Sequence, residues 1–303
     1  MTEDDALLEL LAQLQSRNYR FIAVTPGTHE RVLARPRPEV VTLRDIFGWN
    51  RSFTEAEIDA EIMTLLRVAQ CVERTGDEFR SRVRVASLGE RLFLHSAFPT
   101  NATNAVFFGP DTYRFSNFVH EKMRSSPPPQ WIVDMGAGTG AGGIVALERA
   151  RSARLTLVDI NPEAARLASI TARSAGIAAE ILVDDRIPCG CDLVIANPPY
   201  MIDVAHRAYR DGGELFGGEI ALRWAREALS ALKPQGSLLL YTGAAVSSGT
   251  APLIEALASL SREGGYIFTH REIDPDVFGE ELDSREYSEV ERIAVFGITM
   301  IKG

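Results

Sequence analysis

Cysteine is nearly absent, with three in 303 residues: Cys71, Cys189 and Cys191. The last two stand one residue apart, too close for an ordinary bridge, and neither paired CxxC units nor spaced histidines offer a metal site. A reduced, cytoplasmic setting is the expectation. Positive charge is in deficit: 32 Lys and Arg against 41 Asp and Glu give a formal net charge of -9. That argues against sequence-independent clamping of nucleic acid, though not against a local basic groove. No apolar run reaches membrane-spanning length, and the opening MTEDDALLEL lacks the apolar centre of a secretion signal, so no membrane partner is expected. Internal repeats and long low-complexity tracts are missing as well. What remains is 46% hydrophobic and 24% charged, an ordinary globular composition for one large domain, or a principal domain with a smaller companion. None of it bears on oligomeric state.

The pattern changes along the chain. Leucines at 7, 8, 10, 11 and 14 predict a helix over 4–17, and Thr54 with Glu57 predicts a capped helix over 54–73. Two β-like stretches follow: 82–96, turning near Gly89, and 104–115 (NAVFFGPDTYRF). This reads as a small α+β module, winged-helix-like. RSSPPPQ, 124–130, is the clearest linker candidate, because consecutive prolines continue neither helix nor central strand.

Beyond it, strands alternate with helices. WIVDMG, RLTLVDI, AEILVDD, CDLVIAN and SLLLYTG read as strands, with helices over 142–151, 162–174, 218–232 and 252–262. The alternation predicts an α/β, doubly wound and mainly parallel sheet that holds ligands at the carboxyl ends of its strands. The last two strands, GYIFTHREI and ERIAVFGITMI, lack an intervening helix and are expected to pair antiparallel. The expected division is 1–107, an α+β module for recognising a substrate or partner, and 108–303, the doubly wound domain.

DMGAGTGAGG, 134–143, follows a strand and opens a helix. Gly136, Gly138 and Gly140 permit a tight turn and close backbone approach to a ligand. Asp159 closes the next strand about 20 residues on, where a carboxylate can accept both hydroxyls of a ribose. That suits NAD and S-adenosylmethionine alike. Asp134 tips the choice, because a carboxylate at the strand's end repels a pyrophosphate but can face a cationic amino-acid tail. Asp184 or Asp185, ending the third strand, can accept from an adenine amino group; spacing does not separate them.

DLVIANPPYM, 192–201, ends a buried strand on an amide and two prolines. An amide or exocyclic amine nitrogen is a poor nucleophile, since its lone pair is delocalised. The Asn197 side-chain oxygen and the Pro198 backbone carbonyl can each accept one of its N–H groups, fixing the nitrogen and stabilising its developing charge. Pro199 stiffens the turn, and Tyr200 is expected to pack on the planar substrate face. No general base is evident.

D-x-G-x-G-x-G at 134–140, Asp159 and NPPY at 197–200 together resemble class I S-adenosylmethionine-dependent methyltransferases, whose fold is a seven-stranded Rossmann-like sheet. NPPY resembles the branch that methylates planar NH₂ groups: HemK/PrmC-like glutamine-N5 methyltransferases of release factors, and "small-domain" RNA amino-group enzymes. FGPDTYRFSNFV (108–119) and the DGG of 211–213 resemble segments of the glutamine enzymes, with Gly109 and Tyr113 departing from the pattern. The resemblance implies methyl transfer to a protein glutamine amide, with a release-factor-like partner. The alternative is an adenine-N6 or guanine-N2 of ribosomal RNA or DNA, and a remote one is an NAD-dependent oxidoreductase. RSRVRV, 80–85, is read as an exposed amphipathic edge whose arginines can reach phosphates, and the histidines as surface or packing residues, with His206 near the substrate mouth.

Overall fold

Thr2 caps α1 (Glu3–Ser16) through a reciprocal box with Asp5, and Leu7, Leu10, Leu11 and Leu14 form its buried face. The computed structural model describes residues 1–203, 207 and 209–303. α2 (Pro26–Leu33), which no periodicity announced, starts behind Thr25 with proline at its first turn. The helix expected over 54–73 is divided. Thr54 and Glu57 do form their capping box, on a single 3₁₀ turn, but Ile58 is extended and Asp59 caps a separate α3 (Ala60–Val68). Two hairpins follow, β1 (Val72–Thr75) with β2 (Glu78–Ser81), and β3 (Val83–Leu88) with β4 (Arg91–Ser96), the latter turning at Gly89 as expected.

The β-like reading of 104–115 is corrected. Pro110 opens α4 (Pro110–Ser125), whose Phe115, Phe118, Val119 and Met123 share a helical face on the sheet. The proline run ends α4 and leads into β5 (Trp131–Met135), so it joins two packed elements and is no interdomain linker.

From there the elements run α5 (Ala141–Leu147), β6 (Arg154–Asp159), α6 (Pro162–Ser174), β7 (Ala179–Val183), β8 (Cys191–Ala196), α7 (Glu219–Ala231), β9 (Leu232–Val246), α8 (Pro252–Gly264), β10 (Ile267–Asp274) and β11 (Arg292–Ile301). The seven strands lie in the order β10-β11-β9-β8-β5-β6-β7. The pairs from β9 to β7 are parallel, β10 and β11 pair antiparallel as the missing helix predicted, and β11 also runs antiparallel to β9. Alternate residues serve the two faces. Val133, Val194 and Leu238 pack with α7 and α8, while Ile132, Leu193 and Leu239 pack with α4 and α5. This is a doubly wound, Rossmann-like α/β fold carrying a smaller N-terminal α+β part.

The N-terminal elements are seated on the sheet's own helices. Ala164, Leu167 and Ile170 of α6 join the core of α1, α3 and the hairpins, and Phe93 and Phe108 cluster with Ala141 and Ile144 of α5. Strand order reverses between β5 and β8, where Met135 and Ala196 are in register. Gly136 and Asn197 are thus the next residues of adjacent strands, side by side at the crevice where such sheets bind ligands.

Candidate active site

That crevice is a cleft of about 1460 Å³. The N-terminal part, the glycine loop, the NPPY segment and the connection between β10 and β11 all line it.

Gly136, Gly138 and Gly140 have φ of +68°, +55° and +80°. A Cβ at Gly136 would lie 2.5 Å from the Trp224 ring, whereas one at Gly138 would meet nothing within 4 Å. The loop is therefore packed at its base against α7 and open at its tip. Asp159 holds that tip: its Oδ2 accepts from the Gly138 N–H at 2.8 Å and its Oδ1 from the Asn161 N–H at 2.9 Å. It lines the cleft, and burial raises its pKa.

The spacing left Asp184 and Asp185 unresolved, and the structure separates them. Asp184 folds back on its own turn, accepting from the Asp185 and Arg186 N–H groups at 2.7 and 3.1 Å, while Asp185 lines the cleft.

Asp134 is the penultimate residue of its strand, near the end where the sequence places it. It lies within β5 on the face of Ile132, beneath α5, where its Oδ2 accepts from the Gly143 N–H at 2.7 Å, and it does not line the cleft. Burial pushes its pKa up to about 7 against the pull of the Gly143 bond. The folded chain therefore keeps a proton that the unfolded chain releases. The associated stability is complete below about pH 4 and lost as pH rises through about 7. In urea unfolding of the cofactor-free protein, Asp134→Asn is expected to gain on the order of 2–4 kcal/mol relative to the parent between pH 4 and pH 8.

Asn197, Pro198, Pro199 and Tyr200 all line the cleft. The Asn197 Oδ1 is buried and has no hydrogen-bond partner among the described residues. An unpaired buried acceptor is costly, so it marks a place for a donor. Tyr200 is 7% exposed, its ring packs where a Cβ on Gly243 would lie 2.2 Å away, and its hydroxyl donates to Asp111. It braces the turn through Asp111 while still lining the cleft.

Asp111, to which the sequence assigned no role, also accepts from the Tyr241 hydroxyl at 3.1 Å, and burial raises its pKa to about 6. Tyr200→Phe is expected to cost about 1–3 kcal/mol in denaturant unfolding, by leaving Asp111 a donor short. The DGG loop closes over the same turn, with the Gly212 N–H bonded to the Met201 carbonyl at 2.7 Å.

Arg207 pairs with Asp203 at 2.5 Å and Arg210 with Glu281 at 2.5 Å, so both are neutralised internally. His206 lies outside the described residues. Two residues went unmarked in sequence. Trp224 covers Gly136, and its Nε1 is buried without a partner among the described residues; Ile160, beside Asp159 on the cleft, is 63% exposed. An apolar residue where a polar turn is due was the available signal for the second. No group of three or more potential metal ligands occurs among the described residues, and no helix there is long and apolar enough to cross a membrane.

Residues 102–260 match the family described as the methyltransferase small domain. The chain is 29% identical to the release factor glutamine methyltransferase of Deinococcus radiodurans, over 91% of this chain and 96% of that protein. It is 33% identical to the ribosomal RNA small subunit methyltransferase C of Pseudomonas fluorescens, over 27% of this chain and 26% of that one. Among solved structures, Trm5b from Pyrococcus abyssi aligns at a TM-score of 0.51 and 14% identity, over 80% of this chain and 68% of that one, a likeness of fold alone. The family match spans more than half of the sequence, so the chain belongs to the methyltransferase small domain family and is an S-adenosylmethionine-dependent methyltransferase.

Proposed function

We propose that this enzyme methylates the side-chain amide nitrogen of a glutamine in a protein. The observation that carries the reading is the buried, unpartnered Asn197 Oδ1 at the end of β8, in register with the glycine loop of β5. Support for a protein acceptor comes from the similarity to a release factor glutamine methyltransferase along nearly the whole of both chains. Carboxylates also outnumber guanidinium groups in the cleft lining. We further propose residues 1–107 as the partner-recognising domain and 108–303 as the catalytic one; the matched span opening at residue 102 supports that division.

The residues present fit the cofactor. Gly138 leaves open space above the loop tip, Asp159 offers carboxylate oxygens at the rim for a ribose, and Ile160 offers an exposed apolar face for the adenine. Asp185 is assigned to the adenine amino group. Gly136 and Gly140 shape the loop, while Asp134 positions it from beneath through Gly143. When bound, S-adenosylmethionine supplies an electrophilic methyl group.

The chain does the rest by positioning. The Asn197 Oδ1 and the Pro198 carbonyl accept the two amide N–H groups, holding the nitrogen in place as positive charge develops on it. Pro199 keeps the turn rigid, and Tyr200 ties it to Asp111.

The second reading is an adenine-N6 or guanine-N2 acceptor in RNA or DNA. It draws on the match to the ribosomal RNA enzyme, confined to 27% of the chain. The remote alternative, an NAD-dependent oxidoreductase, is set aside by the family match.

Labelled methyl transfer into fractionated cell extract, treated in parallel with protease and nuclease, decides between the acceptors. Protease-sensitive label is expected, released as N5-methylglutamine by complete enzymatic digestion and as methylamine by acid hydrolysis; nuclease-sensitive label would overturn the proposal.

A further inference from the structure

We propose that the N-terminal wall of the cleft carries a subsite for a single carboxylate group of the acceptor protein, centred on Arg84. The inference rests on the protein-acceptor reading above. RSRVRV was expected to be an exposed edge, but Arg84 of β3 is only 5% exposed and lines the cleft. Its Nε donates to the Ser96 carbonyl at 2.9 Å and one Nη to the Thr100 hydroxyl at 3.4 Å, and the guanidinium lies 5.7 Å from the centre of the Phe98 ring. All of these partners are neutral. No carboxylate among the described residues pairs with it, whereas Arg114, Arg207 and Arg210 of the same lining each have one. Arg31 and Arg223 of the lining have no ion pair among those residues either, but unlike them Arg84 is buried.

A buried cation without a counter-charge is costly to the fold and is ordinarily paired. Its surroundings sharpen the deficit. His29 and His95 beside it are buried, and both burial and the Arg84 charge hold them neutral. The amino end of α2, with Gly27 leaving open space beside it, lines the same wall and adds a positive field.

The deficit is for one anionic group and not for a polyanion. The same lining carries Asp276 and Glu286, which would repel a phosphodiester chain more than a lone carboxylate seated against Arg84. A planar guanidinium fork also suits a carboxylate. Thr100 links this wall to the acceptor side, since its carbonyl accepts from the hydroxyl of Tyr209, a few residues beyond NPPY. An acidic residue close to the modified glutamine would therefore be read together with it.

The test uses the full-length enzyme saturated with S-adenosylhomocysteine, so that binding is measured without turnover. Labelled peptides carry one glutamine among alanines and one aspartate at each flanking position in turn, against a matched asparagine set. Fluorescence anisotropy is expected to show about tenfold tighter binding of the aspartate peptide at one or more positions. Arg84→Gln, which keeps a donor for the Ser96 carbonyl, is expected to abolish that preference, while Arg84→Lys retains most of it. Calorimetric cofactor affinity and the melting temperature show that both variants are folded.

Equal binding of aspartate and asparagine peptides by the parent enzyme would overturn the subsite whatever the variants do. So would a preference that survives in Arg84→Gln, or Arg84-dependent binding seen only with an oligoribonucleotide. The same peptides scored with labelled S-adenosylmethionine separate the two readings: discrimination without methylation would remove the glutamine assignment and leave the subsite standing.

Discussion

Asn197→Ala is expected to slow methyl transfer by about 10²- to 10³-fold while leaving S-adenosylmethionine affinity within about threefold. The asymmetry follows from the geometry. The Asn197 Oδ1 is buried and engages no other residue among those described, so nothing in the glycine loop depends on it. Removing it deletes an acceptor for a nitrogen that grows positive only as the methyl arrives. The loss therefore falls on kcat more than on KM. Asn197→Asp keeps an acceptor of nearly the same shape and is expected to retain more activity than the alanine variant. Single-turnover transfer of a labelled methyl group, with calorimetry of cofactor binding on the same preparations, makes the measurement. Normal turnover by Asn197→Ala would remove the amide-acceptor role.

The catalytic half was legible because its signals are local. Strand runs such as DLVIA and WIVDM are bounded by glycine and proline, and a βα turn rich in glycine declares itself. The antiparallel close followed from one missing helix. Register did the remaining work: once β5 and β8 are neighbours, Asn197 and Gly136 must meet.

The inward setting of Asp134 has a local cause. Ile132 and Asp134 alternate onto one face, and that face is covered by α5, so the carboxylate points beneath the helix and away from the rim. The spacing of Phe115, Phe118, Val119 and Met123 likewise held a helix that the β-forming run AVFF obscured. Other features were beyond local reading. Tyr200 turns inward because Asp111, 89 residues earlier, awaits its hydroxyl, and Gly243 leaves room for its ring. Arg84 looked like one arginine of an exposed edge until the loop through Phe98 and Thr100 covered it. Which face of a short hairpin is solvent depends on what the rest of the chain lays upon it.

Asp159→Ala is expected to weaken S-adenosylmethionine binding by about 10²-fold, through two losses that act together. The carboxylate is placed at the rim to accept from ribose hydroxyls, and it also anchors the loop tip through the Gly138 N–H at 2.8 Å. Alanine removes both the ligand contact and the restraint on the turn that presents the ligand. Asp159→Asn separates them, since one amide oxygen accepts but the amide nitrogen cannot; an affinity between those of alanine and the parent is expected. Burial raises the Asp159 pKa. Without ligand, the melting temperature of Asp159→Ala is expected to fall by a few degrees, since the Gly138 and Asn161 N–H groups lose this acceptor. The upward shift on adding S-adenosylmethionine, present in the parent, should shrink in Asp159→Asn and nearly vanish in Asp159→Ala at the same ligand concentration. Unchanged calorimetric affinity in Asp159→Ala would mean that the ribose is held elsewhere along the cleft, and with it the orientation of the methyl group toward Asn197.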